Sequence, residues 1–511
     1  MGRVLIIAND VVAQRMAGPG IRCVELGREL ARAGHHVTLV GVGATDLAPE
    51  SLEIVPQLSH IALDQLARRQ DAILLEGIAL VRYPSLRSVP VPLIVDLYDP
   101  FPLALLEQEA HRPQAVQEHE SREIRKVLRE LLRGGDFFLC ASEVQRDLWT
   151  GALLEAGRVT PRIWAQDNSL RRLIDVVPFG LPDAAPQRHQ GERQLPVGNL
   201  GPDDVVLLWG GGIYNWFDPL TLIRAVAEAA KQVPSVKLVF MSTDHPNASV
   251  PERMWMPARA RQLSDRLGLT GSQVFFNHEW IAYSDRSRWL LASDCGVSTH
   301  FDHAETRYAF RTRMLDYLWC GLPIICTAGD RFAQLVAERD LGWVVPAEDV
   351  DSLTRAILEM ATDPERRRRI SRRVSEVAQD MTWERVSEPL LRFVANPALA
   401  VDQPRHAWIH SRQPTPAGLR AAEAGRLLRR AVYEFGHNGP LTTTRKVRRW
   451  LRARRGVPPG GGAGGGGQVQ VAGHSSPRLT PEVSSGEADQ LERVAPAESE
   501  SNQPQPPPVT G

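Results

Sequence analysis

The sequence predicts an α/β protein built from two consecutive, doubly wound parallel-sheet domains. Short apolar runs alternate with helical stretches over residues 3–396, as expected for strands that are covered on both faces of a parallel sheet. The alternation is interrupted by a polar segment rich in Pro and Gly at 183–203, which indicates a linker. We therefore expect a first domain over 1–185, a linker over 186–203 and a second domain over 204–396.

The composition is that of an ordinary soluble protein. Of the 511 residues, 43% are hydrophobic and 23% are charged, and 60 basic residues balance 60 acidic ones. No charge excess therefore indicates nucleic acid as a partner. The five cysteines show no metal-ligand spacing, and we expect no metal site. Because no signal peptide or membrane-spanning segment is recognisable, we expect a cytoplasmic protein.

The first domain opens with a predicted β-α-β unit. A buried strand at 3–10 leads to a glycine-containing loop at 16–22. The helix that follows has apolar residues at helical spacing. Gly34 is expected to end it, since a glycine in the left-handed conformation commonly caps a helix. Further strand-like runs of this domain lie at 36–43, 72–77, 92–100, 137–143 and 174–182.

The glycine-containing loop is a candidate phosphate site. Gly18 and Gly20 would let the backbone approach a ligand closely, and Arg22 adds positive charge. The segment is not the dinucleotide-binding fingerprint, because Cys23 occupies the position of its third glycine. A plain turn is the alternative interpretation.

The second domain repeats the pattern. Its first predicted strand, at 204–212, ends in a glycine run that includes Gly211 and Gly212. Close approach of the backbone to a ligand is expected there, and the alternative is that the neighbouring aromatic residues pack over the hinge. Predicted strands follow at 236–243, 273–281, 295–300, 322–329 and 342–349.

Polar residues emerge where the predicted strand at 92–100 ends. In open parallel sheets, ligands bind outside the carboxyl ends of the strands. Tyr98 and Asp99 are therefore candidates for a site. A capped turn is the alternative role for the carboxylate.

The segment 305–316 carries charges of both signs on a predicted helix. Glu305 and Asp316 are separated by about three helical turns and would share one face of a continuous helix. Arg311 and Arg313 lie between them. Carboxylates suit sugar or ribose hydroxyls and arginines suit phosphate, so a site with both fits a nucleotide sugar. The alternative is a solvated helix face with surface ion pairs.

Taken together, these motifs resemble the retaining GT-B glycosyltransferases of glycosyltransferase family 4, the group 1 glycosyl transferases. The segment RMLDYLWCGLPIICTAGD at 313–330 is similar to the second half of the family's E-x7-E motif, and Asp316 stands at its second acid. The resemblance covers roughly 3–396. It implies a GT-B fold with a deep interdomain cleft, an acceptor-side first domain and a donor-binding second domain.

The resemblance also implies a chemistry. A sugar would pass from a nucleotide-diphosphate donor to a glycan or lipid-linked acceptor, with retention and without a metal ion or cofactor. Asp316 would bind the donor ribose. Trp280 follows the VFF stretch within the predicted strand segment at 273–281, where relatives contact the base. The Arg and Lys that the family carries after the first donor-domain strand are not evident, so we assign the phosphate charge to Arg311 and Arg313.

The catalytic residues are expected where the chain departs from the family pattern. Strict spacing would put the first acid at Tyr308, and Glu305 is the nearby candidate. Many relatives carry a His in the acceptor domain where this chain has Tyr98 and Asp99. Two rival functions stay open: a catalytically silent GT-B scaffold that binds glycan or a partner protein, and a sugar-nucleotide epimerase.

The chain beyond residue 396 changes in character. We expect a basic helical extension over 397–455 and a disordered tail over 456–511, whose composition cannot bury enough apolar surface to fold. The segment 442–456 combines arginines with an apolar Trp stripe. Such a helix can lie on an anionic membrane, which would make the protein peripheral at the inner membrane face. The alternative is a solvated helix docked on the protein body.

Overall fold

The computed structural model describes residues 1–48, 51–187, 195–198, 200–246 and 254–403. These residues belong to one compact unit. The predicted membrane-contacting helix at 442–456 and the predicted tail lie outside the described residues. No helix in the described part of the chain is both long enough and apolar enough to cross a membrane.

The first domain contains a sheet of seven parallel strands. These are β1 (Arg3–Ile7), β2 (His36–Val40), β3 (Glu53–Val55), β4 (Ala72–Glu76), β5 (Leu93–Asp96), β6 (Phe137–Cys140) and β7 (Ile174–Val176). Their order in the sheet is β3-β2-β1-β4-β5-β6-β7. The helices are α1 (Gly18–Arg32), α2 (His60–Ala67), α3 (Ala79–Arg82), α4 (Phe101–Glu109), α5 (Gln114–Gly134), α6 (Glu143–Glu155) and α7 (Pro161–Gln166), with a 3-10 helix at Pro84–Ser88.

The second domain contains a sheet of six parallel strands. These are β8 (Val205–Trp209), β9 (Val236–Phe240), β10 (Val274–Phe276), β11 (Cys295–Ser298), β12 (Ile324–Thr327) and β13 (Gly342–Val345). Their order is β10-β9-β8-β11-β12-β13. The helices are α8 (Pro219–Gln232), α9 (Met256–Arg266), α10 (Arg286–Leu291), α11 (Ala304–Tyr308), α12 (Arg313–Trp319), α13 (Arg331–Arg339), α14 (Val350–Thr362), α15 (Pro364–Ala378), α16 (Trp383–Val386) and α17 (Glu388–Ala395), with a 3-10 helix at Tyr283–Asp285.

Strand β1 shows why the apolar runs form a sheet covered on both faces. Its residues Leu5 and Ile7 belong to one apolar core, and Val4 and Ile6 belong to another. Successive strand side chains point to opposite faces, so a strand without polar residues needs cover on both. The core that contains Val4 and Ile6 continues into the second domain. The predicted pair of doubly wound parallel sheets is confirmed.

The strand order places a crevice in each sheet. In the first sheet β1 lies between β2 and β4, and in the second β8 lies between β9 and β11. The connections leave in opposite directions on the two sides of these strands, so loops diverge at their carboxyl ends. A ligand site is expected at these two points.

Two local predictions need correction. Helix α1 already begins at Gly18, with proline in its first turn, so Gly20 and Arg22 lie within a helix rather than in a loop. Proline fits this position because the first helical N–H groups have no partner within the helix. Glu305 and Asp316 do not share one continuous helix: they lie on α11 and α12, which are separated by residues 309–312.

The end of the described chain returns to the first domain. Phe393 of α17 stacks on Phe137 of β6 at a centroid distance of 4.5 Å. Asp402 forms a buried ion pair with Arg158, with a distance of 2.6 Å between Nε and the carboxylate. The end of the described chain therefore packs against the first domain through Phe393 and Asp402.

Candidate functional site

A pocket lies in the cleft between the two domains, at the carboxyl ends of β1 and β8. It contains about 850 Å³ of empty space, its open mouth included. The first domain contributes the start of α1, and the second contributes the glycine run after β8. This cleft pocket is lined, among others, by the predicted site residues Gly18, Gly211, Gly212, Trp280, Arg313 and Asp316.

The glycine run is held close to its neighbours. The N–H of Gly210 donates to the hydroxyl of Tyr317 at 2.8 Å. Gly211 has a φ of +75°, which L side chains rarely adopt. A Cβ on Gly212 would lie 3.1 Å from the ring of Trp280. The three glycines therefore allow a bend and a close approach that larger residues would obstruct.

Arg313 is a buried cation without an acidic partner. It is 7% exposed, and its guanidinium lies 4.0 Å from the ring centroid of Phe217. Its Nη2 donates to the carbonyl of Gly212 at 2.8 Å, whereas Nη1 is buried without a hydrogen-bond partner. No carboxylate in the described ranges forms a salt bridge with it. Burial lowers the pKa of Arg313 to about 10, so it stays charged at neutral pH.

Arg311 has a different environment. Its Nη1 and Nη2 bind the two carboxylate oxygens of Glu305 at 3.0 and 2.6 Å, and both side chains are buried. The charges of this pair neutralise each other. Neither residue lines the cleft pocket. The Nε of Arg311 is also buried without a hydrogen-bond partner. Of the two arginines assigned to phosphate charge from the sequence, however, only Arg313 lines the cleft pocket.

Asp99 lies near the Glu305–Arg311 pair, across the domain boundary. Burial, and then repulsion from Glu305, raise the pKa of Asp99 to about 7, against an opposing effect of Arg311. Two of the three predicted catalytic residues are thus close enough to influence each other. No group of three His, Cys, Asp or Glu side chains in the described ranges is arranged to hold a metal ion.

The backbone of Tyr98 takes part in a contact across the same domain boundary. The side chain of Gln145 on α6 donates to the carbonyl of Tyr98 at 2.8 Å and to that of Tyr308 at 2.7 Å. One buried amide therefore joins the first domain to the end of α11. The ring of Tyr98 packs on Phe179, with centroids 5.1 Å apart.

Arg22 and Gly20 serve the packing of the first domain. Arg22 is fully buried and binds Asp96 through Nε and Nη2, at 2.5 and 3.0 Å. Its remaining hydrogen bonds go to two backbone carbonyls after β7. A Cβ on Gly20 would lie 2.3 Å from the carbonyl oxygen of Val11. Neither residue lines the cleft pocket, so this geometry does not support their predicted contact with phosphate.

Trp280 bridges the two domains. Its indole N–H donates to the carbonyl of Met16 at 3.0 Å. Nearby, the N–H of Tyr283 donates to the carbonyl of Gln14 at 2.9 Å. These contacts close one end of the cleft, and the ring of Trp280 contributes to the pocket wall.

Arg286 is a pocket residue that no sequence motif marks. Its Nε donates to Asp316 Oδ1 at 3.0 Å, and it lines the cleft pocket. The two residues are 30 positions apart, and neither helical spacing nor the family pattern connects them. The contact follows from the way α10 and α12 pack together.

Residues 204–363 match the family model described as Glycosyl transferases group 1. This match covers most of the second domain and none of the first. The D-inositol 3-phosphate glycosyltransferase of Saccharomonospora viridis is 26% identical over 247 residues, which are 46% of this chain and 55% of that protein. The chain spans about half the length of the curated relatives it matches.

Solved structures resemble this chain over both domains. Sucrose-phosphate synthase from Thermosynechococcus elongatus superposes with a TM-score of 0.53 and 16% identity, covering 77% of this chain and 98% of that one. Anabaena HepE in complex with UDP-glucose superposes with a TM-score of 0.52 and 14% sequence identity. The match covers 77% of this chain and 100% of HepE. At these identities the likeness shows the fold alone. It supports a GT-B arrangement of two Rossmann-like domains, in which the second domain contains the residues that match the family model.

Proposed function

We propose that the protein is a retaining GT-B glycosyltransferase of the family 4 type. It transfers a sugar from a nucleotide-diphosphate donor to a glycan or lipid-linked acceptor, without a metal ion. The group 1 domain over 204–363 supports this proposal, and a relative over about half its length is named as a glycosyltransferase. The structurally similar HepE binds UDP-glucose.

The observation that carries the proposal is the unpaired charge of Arg313. A buried cation is unfavourable unless an anion or a set of hydrogen bonds compensates for it. Arg313 has one hydrogen bond and one buried, unpartnered Nη1. A diphosphate in the cleft pocket would supply the missing negative charge.

The start of α1 adds a second anion-binding element opposite Arg313. This helix has 15 residues, and no side chain caps its first turn. The N–H groups of a helix start without partners attract anions. Gly18 lies at this start, and a Cβ there would be 4.0 Å from the hydroxyl of Thr312 in the second domain. A diphosphate between the domains could therefore be bound by both.

This arrangement would favour departure of the diphosphate. Negative charge develops on the leaving group as the sugar bond breaks, and preorganised donors stabilise that charge most effectively in a site closed to water. The contact from Trp280 to Met16 closes one end of the cleft. Asp316 lies at the pocket wall and would accept hydrogen bonds from the ribose. Asp99 and Glu305 do not line this pocket, and they would act beside the transferred sugar where it extends past the pocket wall.

Binding and turnover test this proposal. A thermal-shift panel of nucleotide sugars identifies the donor, and calorimetry then compares Arg313→Met with the unchanged protein. We expect diphosphate affinity to fall about tenfold or more, since a hydrogen bond to a charged group contributes about 1.5–3 kcal/mol. Affinity for the nucleoside should stay the same. Arg366→Met is the matched control, because Arg366 stacks on Trp343 outside the cleft pocket.

Three results would contradict the proposal. Equal losses of nucleoside and diphosphate affinity would mean that Arg313 only supports the fold. Absence of donor hydrolysis and transfer, with donor bound, would favour the silent scaffold. Conversion of the sugar nucleotide without any acceptor would favour the epimerase.

A further inference from the structure

The Arg286 guanidinium lies in the wall of the cleft pocket, next to the carboxylate of Asp316. Arg286 is 7% exposed, so its charge is largely removed from water. It begins α10, directly after the 3-10 helix Tyr283–Asp285. A charged side chain in such a position needs compensating contacts.

These contacts fix the plane of the guanidinium. Its centre lies 3.6 Å from the ring centroid of Tyr283 and 4.5 Å from that of Trp319. Its Nη1 also donates to the backbone carbonyl of Tyr283. Arginine suits this environment because its planar group stacks on aromatic rings and still presents hydrogen-bond donors in a fixed direction. Lysine could not do both.

The clamped guanidinium binds only one oxygen of Asp316. Arg286 Nε donates to Oδ1 at 3.0 Å, and within the described residues Oδ2 accepts no hydrogen bond. The Asp316 side chain is 29% exposed and lines the cleft pocket. A carboxylate with one oxygen fixed and the other free is oriented for a ligand that donates hydrogen bonds.

The pairing also makes the charges of the pocket compatible. Asp316 lies one helical turn after Arg313, the cation proposed for the diphosphate. A carboxylate there would repel a diphosphate if its charge were not compensated. Arg286 provides this compensation and leaves Arg313 available for the anion.

We propose that Arg286 is a positioning residue: it orients the Asp316 carboxylate toward the ribose hydroxyls of the donor and neutralises its charge beside the diphosphate. This inference rests on the proposed function. It assigns recognition of the ribose to a pair of residues from α10 and α12, of which the sequence indicated only one.

Discrimination between ribose and deoxyribose tests the inference. Calorimetry on the full chain first ranks UDP, GDP and ADP. The best of these is then compared with its 2′-deoxy and 3′-deoxy analogues. We expect the unchanged protein to prefer the ribose form over at least one analogue by about tenfold, as for a charge-assisted hydrogen bond. In Arg286→Lys and Arg286→Gln, this preference should fall to about twofold or less.

A variant that lacks the Asp316 carboxylate tests whether Arg286 acts on the ribose through Asp316. Asp316→Asn should show the same reduced preference, and adding Arg286→Lys to it should reduce the preference no further. Arg366→Lys, which changes an arginine that stacks on Trp343 outside the pocket, should keep the full preference. Circular dichroism and the melting temperature establish that each variant is folded.

The possible outcomes separate the two proposals. If Arg286 bound the diphosphate itself, its variants would lose diphosphate affinity with the ribose preference unchanged, and the positioning role would be refuted. An unchanged preference in folded Arg286 variants would refute it as well. If the unchanged protein binds none of the three diphosphates, the proposed function fails and the positioning role fails with it.

Discussion

Removal of a single oxygen atom by Tyr317→Phe should loosen the glycine run after β8. The Tyr317 hydroxyl accepts a hydrogen bond from the N–H of Gly210 at 2.8 Å. It lies 2.8 Å from the carbonyl of Val297 and 3.1 Å from that of Leu208, to which it can donate. The side chain is fully buried. One hydroxyl thus connects α12 to the ends of two neighbouring strands.

The expected loss follows from the group that becomes unpaired. With phenylalanine, the Gly210 N–H stays buried without an acceptor, which costs about 1–3 kcal/mol. We therefore expect the free energy of unfolding of the second domain to fall by about 2 kcal/mol. The glycine run also loses an anchor, so diphosphate affinity should fall severalfold, because a ligand must then order this backbone.

Hydrogen exchange measured by mass spectrometry gives the most direct readout. A peptide spanning residues 207–213 should exchange faster in Tyr317→Phe, and chemical denaturation measures the stability. Tyr83→Phe is the control, because Tyr83 is buried in the first domain and its hydroxyl contacts the Leu58 carbonyl at 3.2 Å. That change should reduce stability without altering diphosphate affinity. Unchanged exchange and stability in Tyr317→Phe would refute the reasoning.

Two further predictions concern pH and membrane binding. Burial raises the pKa of Asp99 to about 7. The unchanged protein should therefore lose stability relative to Asp99→Asn as the pH rises from about 4 to about 7, and the difference should stay constant above about pH 7. Thermal denaturation measures this difference, and a difference that does not change between about pH 4 and about pH 7 would contradict the prediction. The full chain should co-sediment with anionic but not neutral vesicles, and less of it should do so at high salt. A chain that ends near residue 440 should not co-sediment. Equal sedimentation of the two chains would show that the segment 442–456 is not responsible for membrane binding.

The two sheets could be predicted because their signal is local and repeated. Buried parallel strands read as near-continuous apolar runs, and most strands of both sheets contain such a run. The break between α11 and α12 was not predictable in this way. Helix α11 ends at Tyr308, whose carbonyl accepts a hydrogen bond from Gln145, 163 positions earlier in the chain. A contact from the other domain, rather than local propensity, accompanies the helix end there.

The partners of the charged residues show the same limit. Glu305 and Arg311 are six positions apart, a spacing that does not pair side chains on a regular helix. Their pairing depends on the break between the two helices. The sequence therefore predicted charges of both signs in this region but could not show which arginine is neutralised.

The difference between paired and unpaired buried arginines is what separates fold from function in this protein. Arg22 and Arg311 are buried against Asp96 and Glu305. Such a pair contributes little net stability, but each member is costly to leave alone. Arg313 has no such carboxylate partner among the described residues, and it lies at a cleft that both domains line. A fold that only needed packing there would do better with an apolar side chain, so an anionic ligand is the simplest reason for a charge at that position.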